Sequence, residues 1–62
     1  MKGKELIKLL EKEGWVLDRI SGSHHIMVKD GKRSIPIPIH RNKNIPKILV
    51  KTILKQADIK GN

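Results

Sequence analysis

The first clear hydrophobic pattern in the chain spans residues 4–13. Leu6, Leu9 and Leu10 are spaced to fall on one face of a helix, and lysines and glutamates occupy positions between them. Gly14 follows, at the position where a residue in the left-handed conformation often ends a helix. The pattern therefore predicts an amphipathic helix that stops at Gly14.

A second helical pattern lies in the last third of the chain. Asn44 is a suitable N-cap, Pro46 is tolerated in a first helical turn, and the pattern ends near Ala57. The apolar positions expected on the packing face are Pro46, Leu49, Val50, Ile53 and Ala57. Basic residues recur every fourth position on another face and form a lysine ridge, Lys47, Lys51 and Lys55.

Between the helices, the period shortens to that of strands. Three segments are rich in strand-favouring residues: 15–20, 24–29 and 32–39. In the first of them, alternation would place Trp15, Leu17 and Arg19 on one side. Asp30-Gly31 separates the second and third segments and indicates a two-residue hairpin with a type I′ turn. The three strands are therefore expected to be antiparallel where they follow one another.

The order helix, three strands, helix predicts a single α+β domain over residues 1–62, with its core in about 4–59. Both helices are expected on one face of a three-stranded antiparallel sheet, which leaves the other face open. Pro36 and Pro38 lack the N–H that a sheet ladder needs, so the third strand is expected at an edge. Residues 60–62 are expected to fray.

Composition narrows the kind of partner. The formal net charge of +8 favours a polyanion such as nucleic acid, or an acidic protein. Only 2% of the residues are aromatic, so stacking of bases on several rings is disfavoured and contact with phosphate and sugar is favoured. The chain has no cysteine and no apolar run of membrane-spanning length, and we expect a soluble cytoplasmic protein.

The candidate chemistry lies in Gly22-Ser23-His24-His25. An imidazole suits proton transfer near neutral pH, and it can help an RNA 2′-hydroxyl attack its own neighbouring phosphate without a metal. Adjacent strand residues face opposite sides, so only one histidine can face the open side. A two-residue hairpin would give that position to His25, whereas a bulge at Gly22-Ser23 would reverse the assignment. The alternative interpretation is that both are ordinary half-buried strand residues.

Basic side chains could hold the phosphates of such a substrate and stabilise charge on their oxygens. The candidates are Lys29, Lys32, Arg33, His40, Lys47, Lys51 and Lys55. For the lysine ridge, a merely solvated helix face is an equally reasonable interpretation. No metal-binding motif, Gly-rich phosphate loop or paired-carboxylate signature is present in the sequence, and we expect neither a metal nor a cofactor.

Four segments together resemble the HicA toxin family. They are Lys-Leu-Leu-Glu-Lys-Glu-Gly-Trp at 8–15, Gly-Ser-His-His at 22–25, Ile-Pro-Ile-His at 37–40 and Lys-Thr-Ile-Leu-Lys-Gln-Ala at 51–57. The resemblance extends from about residue 4 to residue 59. It implies a fold like that of the double-stranded-RNA-binding domain, and an mRNA interferase whose active site is covered by a HicB antitoxin.

The resemblance also implies roles for individual residues. The essential histidine of the family follows Gly-Ser, which favours His24, and His25 is the rival because some relatives carry the histidine one residue later. Gly22 and Ser23 would support it through the backbone, and His40 matches a frequent position. A different class of function is a non-catalytic double-stranded-RNA-binding module that uses the basic helix face. A third is a basic adaptor whose only partner is an acidic protein.

Overall fold

A computed structural model describes residues 1–41 and 43–59 of the chain. The elements are α1 (Gly3–Lys12), β1 (Val16–Ser21), β2 (His24–Val28), β3 (Ile35–Pro38) and α2 (Lys47–Gln56). The strands form an antiparallel sheet in the order β1-β2-β3. The predicted α+β order is confirmed, and β3 lies at an edge as its two prolines indicated. The tail expected to fray, 60–62, lies outside the described residues.

The hydrophobic core lies between the two helices and one face of the sheet. It contains Leu6 and Leu10 from α1, Ile53 and Ala57 from α2 and its C-cap, Met27, Ile35 and Ile37 from the sheet, and Trp15 and Ile45 from the connections. Full burial of one such aliphatic side chain contributes about 1.5–3 kcal/mol. Both helices therefore cover the same face, as predicted. Neither α1 nor α2 is long and apolar enough to cross a membrane within the described ranges.

The C-terminal end of α1 follows from Gly14. Its φ is 94°, its N–H donates to the Glu11 carbonyl over 3.1 Å, and the Trp15 N–H donates to the Leu10 carbonyl over 3.0 Å. These two bonds are those of a Schellman motif, which satisfies the last carbonyls of a helix. The motif turns the chain so that Trp15 enters the core with only 1% of its surface exposed. The interpretation of Trp15 as a core residue is confirmed.

The start of α2 differs from the prediction. Asn44 does not cap the helix: it forms an isolated β-bridge with Lys2, and the helix begins at Lys47 with Pro46 in the N-cap position. The residue before a proline is disfavoured in the helical conformation, so Ile45 remains outside the helix. The Ile45 side chain is 6% exposed and belongs to the core.

The packing face of α2 is also rotated from the predicted one. Ile53 and Ala57 are buried and Val50 is half-buried, but Pro46 and Leu49 are exposed. Leu54, absent from the predicted face, packs against the core. The residues of α2 that pack against the core therefore lie mainly in the second half of the helix.

The connection between β2 and β3 is one residue longer than predicted. A two-residue loop would pair Met27 with Ser34, whereas Met27 pairs with Ile35. Gly31 has a φ of 76°, but Asp30 is not among the residues with positive φ, so the turn is not type I′. A shift of one residue in register moves side chains to the other face of a strand. This shift decides which histidine is exposed.

Candidate active site

His24 and His25 lie on opposite faces of β2. His25 pairs with Ile37, a buried core residue, so it lies on the face that the helices cover. His24 pairs with Ser21 on β1 and with Pro38 on β3, and its side chain is exposed on the open face. The expectation from the two-residue hairpin, that His25 faces outward, is wrong because of the longer turn.

Gly22 and Ser23 form the short turn that leads into His24. Ser21 pairs with His24, which leaves two residues between the strands, and Gly22 has a φ of 59°. Nothing lies within 4 Å of the position that a Gly22 side chain would occupy. Glycine is therefore needed here for its backbone conformation, and not for close approach of another group. The pairing of His24 with Ser21 and Pro38 requires no bulge at Gly22-Ser23.

The turn is also hydrogen-bonded to the segment that follows β3, on the other side of β2. The Ser23 carbonyl accepts a hydrogen bond of 2.7 Å from the Ile39 N–H, just beyond β3. His24 thus begins the central strand with a paired neighbour on each side. The backbone that carries the imidazole is held by both adjoining strands, which limits its motion.

The environment of His25 is less open. Its side chain is half-buried, and its Nδ1 atom is buried without a hydrogen-bond partner in the part of the chain that the structure describes. The residue opposite it on β1, Ile20, is 59% exposed. His25 therefore lies near the border of the helix-covered face, and a polymer on the open face would not contact it.

A β-bulge in β1 changes which residues share the face of His24. Leu17 pairs with Met27 and Arg19 pairs with Ile26, so Asp18 is the extra residue. The prediction that Leu17 and Arg19 lie on one side is wrong, because an extra residue breaks the alternation. Leu17 is on the helix-covered side, and Arg19 is on the open side with His24.

The ion pair between Asp18 and Arg19 agrees with this geometry. The Arg19 Nη1 atom lies 2.6 Å from the Asp18 Oδ2 atom. Adjacent residues of a regular strand point to opposite faces, whereas the bulge brings these two side chains together. Arg19 was missed from the sequence. A signal was present in Asp18-Arg19, two consecutive charges inside an apolar strand, which is unusual for regular alternation.

Two of the predicted phosphate-binding lysines are engaged elsewhere. The Lys29 Nζ donates a hydrogen bond of 2.7 Å to the Glu13 carbonyl at the end of α1, where a cation also complements the helix dipole. The Lys32 Nζ lies 3.4 Å from Asp58 Oδ2, just after α2. Both ammonium groups therefore contact segments that adjoin the helices.

The remaining predicted contacts lie in three separate places. The lysine ridge borders a groove of about 500 Å³ on α2, whose apolar lining is Met1, Val50, Leu54 and Ile59. His40 is exposed beyond β3, in a depression that it shares with Lys4 and Arg41. Arg33 is exposed in the β2–β3 connection. The structure does not bring the predicted basic residues together around His24.

Fold and site define a small, basic α-β-β-β-α domain that presents a histidine on the open face of its sheet. The family described as HicA toxin of bacterial toxin-antitoxin matches residues 3–59, nearly the whole chain. The chain therefore belongs to the HicA toxin family, which confirms the resemblance seen in its four segments.

A solved structure is similar in fold and sequence. It is a chain of a toxin-antitoxin complex from Streptococcus pneumoniae, with 38% sequence identity and a TM-score of 0.85. The similarity covers 95% of this chain and 98% of that one. No match is found among curated proteins.

Proposed function

We propose that this toxin is a metal-independent endoribonuclease that cleaves mRNA, with His24 as its general base or acid. The observation that carries the proposal is the position of His24, exposed on the open sheet face and fixed between two paired strands. An open sheet face suits a polymer better than a small metabolite, because it lets a strand pass across the imidazole. The net charge of +8 supports an anionic polymer.

The chemistry requires one proton acceptor at the attacking oxygen. His24 takes the proton from a 2′-hydroxyl, whose oxygen forms a bond to the adjacent phosphorus. The bond from phosphorus to the 5′-oxygen breaks, that oxygen takes up a proton from water, and the protonated His24 returns its proton to the solvent. The products are a 2′,3′-cyclic phosphate and a 5′-hydroxyl, with no change of oxidation state.

Basic residues around the sheet would hold the flanking phosphates. Arg33 and His40 are exposed on the two connections of β3, with His40 beyond the end that pairs with His24 and Arg33 beyond the opposite end. To bind a phosphate, Lys29 would have to give up its hydrogen bond to the Glu13 carbonyl, and Lys32 its ion pair with Asp58. The lysine ridge would bind RNA that extends beyond the sheet. These contacts are proposed as positioning contacts, since phosphate binding alone carries no sequence preference.

We propose a HicB-type antitoxin as the protein partner. The similar chain of known structure comes from a toxin-antitoxin complex, and it matches this chain over almost its full length. An antitoxin that covered the open face would exclude RNA from His24. With mRNA as substrate and an antitoxin as regulator, the cytoplasm is the location that we propose for the toxin.

The proposal is tested by comparing the wild type with His24→Ala and His25→Ala. Purified protein is incubated with mRNA in excess chelator, and each variant is expressed without antitoxin. We expect cleavage and growth arrest for the wild type and for folded His25→Ala, and loss of both for His24→Ala. Loss of activity only in folded His25→Ala would transfer the catalytic role to His25.

The same assay separates the enzyme from a binding module. A non-catalytic double-stranded-RNA-binding module using the lysine ridge would bind RNA with a steep salt dependence and leave it intact. Intact RNA and normal growth with the wild type would contradict the endoribonuclease function.

A further inference from the structure

We propose that Arg19 is the residue that binds the scissile phosphate beside His24 and stabilises the charge that develops on its oxygens. This inference rests on the proposed endoribonuclease function and assigns a second group to the same site. Arg19 is the only Lys or Arg in the three strands, at 16–21, 24–28 and 35–38. The other basic residues lie on helices and connections.

The strand register places Arg19 next to His24. Ser21 lies directly opposite His24 and Arg19 lies directly opposite Ile26, so His24 and Arg19 are diagonal neighbours on the open face. Diagonal neighbours across two strands are about 7–8 Å apart, within reach of long side chains. This spacing leaves room for a phosphate group between an imidazole and a guanidinium.

The bulge makes this arrangement possible. Without the extra residue in β1, Leu17 and Arg19 would lie on the same face. Either Leu17 would then lie on the open face, or Arg19 would lie on the face that the helices cover. With Asp18 inserted, Leu17 stays on the helix-covered side and Arg19 turns to the side of His24. Bulges are frequent next to active sites because they redirect a side chain.

Asp18 holds the guanidinium without burying it. The two side chains form an ion pair of 2.6 Å and remain 66% exposed for Arg19 and 45% exposed for Asp18. A guanidinium has five N–H donors in a planar fork, so Arg19 can keep one carboxylate contact and still donate to phosphate oxygens. The exposure means that an RNA strand can reach it.

The contribution is expected in the chemical step. Negative charge on the phosphoryl oxygens increases in the transition state, so a guanidinium there binds the transition state more strongly than the substrate. Removing one such donor typically lowers the rate by a factor of about 10²–10³. Because the Arg19 side chain is largely exposed, its removal should hardly change the melting temperature.

The experiment compares kcat, KM and the melting temperature of the wild type, Arg19→Ala, Arg19→Lys and the control Lys8→Ala. Lys8 is exposed on α1, on the far side of the sheet from His24, and its replacement removes the same charge. We expect kcat to fall about 100-fold in Arg19→Ala with KM changed far less, an intermediate kcat in Arg19→Lys, and wild-type behaviour in Lys8→Ala. If Arg19→Ala does not fold, Arg19→Gln takes its place.

Several results would overturn the assignment. A folded Arg19→Ala variant with a kcat close to wild type would show that Arg19 does not act in the reaction. An equal loss in Lys8→Ala would show that only net charge matters. An active wild type with either result leaves the proposed function standing, whereas an inactive wild type removes the proposed function and the role of Arg19 together.

Discussion

At the residue scale, His24 and His25 are neighbours in sequence but lie in different environments. His24 is exposed on the open face, and His25 is half-buried on the face that the helices cover. The buried Nδ1 of His25 has no hydrogen-bond partner among the described residues, and an unsatisfied buried polar atom typically costs about 1–3 kcal/mol. The His24 imidazole is therefore accessible from the open face, whereas His25 packs at the border of the core with one buried nitrogen unpartnered among the described residues.

The two positions should separate in stability measurements. We expect His25→Ala to lower the free energy of unfolding by about 1 kcal/mol, because it removes packing beside Ile37. His24→Ala should change it by less than about 0.5 kcal/mol, as is usual for surface positions. Urea denaturation of the free toxin followed by circular dichroism measures both values.

A matched variant isolates the polar cost at His25. His25→Leu keeps much of the side-chain volume and removes the unpartnered nitrogen, so it should be more stable than His25→Ala and at least as stable as the wild type. A larger loss in His24→Ala than in His25→Ala would contradict the assignment of the two faces.

At the scale of elements, the start of α1 is fitted closely against the end of β3. A methyl group added at Gly3 would collide with the Ile39 Cδ1 atom and would lie 2.8 Å from the Pro38 carbonyl oxygen. The carbonyl belongs to the backbone and cannot rotate away as a side chain can. Gly3 thus sets the distance between the first helix and the edge strand.

Gly3→Ala is expected to destabilise the fold although alanine favours helices. The backbone contact forces α1 and β3 apart, and overpacking of this kind typically costs about 1–3 kcal/mol. Thermal denaturation should show a lower melting temperature than in the wild type. Lys4→Ala, at the next and exposed helical position, is the control and should remain close to wild type. A Gly3→Ala variant as stable as this control would show that the two elements can separate at little cost.

The order and type of the elements could be predicted because each depends on a local period of hydrophobic residues. The strand register could not be predicted, because Asp30-Gly31 is compatible with turns of different length. A difference of one residue in the turn moves each side chain of the strand to the other face of the sheet. The bulge at Asp18 was equally hidden, because it depends on how β1 pairs with β2. In the candidate site, the family pattern favoured His24, whereas Arg19 required the observed pairing.

For the whole molecule, its small size makes its stability sensitive to the binding of a partner. Its Cα atoms extend over 30 × 28 × 16 Å, and its core consists of one layer of contacts between the helices and a three-stranded sheet. A domain of this size buries a smaller fraction of its surface than a larger one and is correspondingly marginal in stability. Binding of a partner can therefore change its stability noticeably.

We expect the proposed antitoxin to raise the melting temperature of the toxin. At a free concentration of about 100 times Kd, binding to the native state alone adds about 2.7 kcal/mol. Since about 1 kcal/mol shifts the melting temperature of a 60–100-residue domain by about 4–8 °C, the increase should be about 10 °C or more. Differential scanning calorimetry of toxin, antitoxin and complex measures this shift. An unrelated acidic protein at the same concentration is the control, and an unchanged melting temperature at saturating antitoxin would contradict the prediction.

The bulge at Asp18 also bears on how the toxin behaves at high concentration. β1 is an edge strand with six exposed residues, and Val16, Leu17 and Ile20 expose 58%, 45% and 59% of their surface. A regular, apolar edge offers its free N–H and carbonyl groups to another strand, which leads to aggregation. The extra residue interrupts that regular spacing, and its carboxylate and the neighbouring guanidinium add charge at the same point. One inserted aspartate thus both turns Arg19 toward the open face and disfavours pairing of the exposed edge with a second molecule.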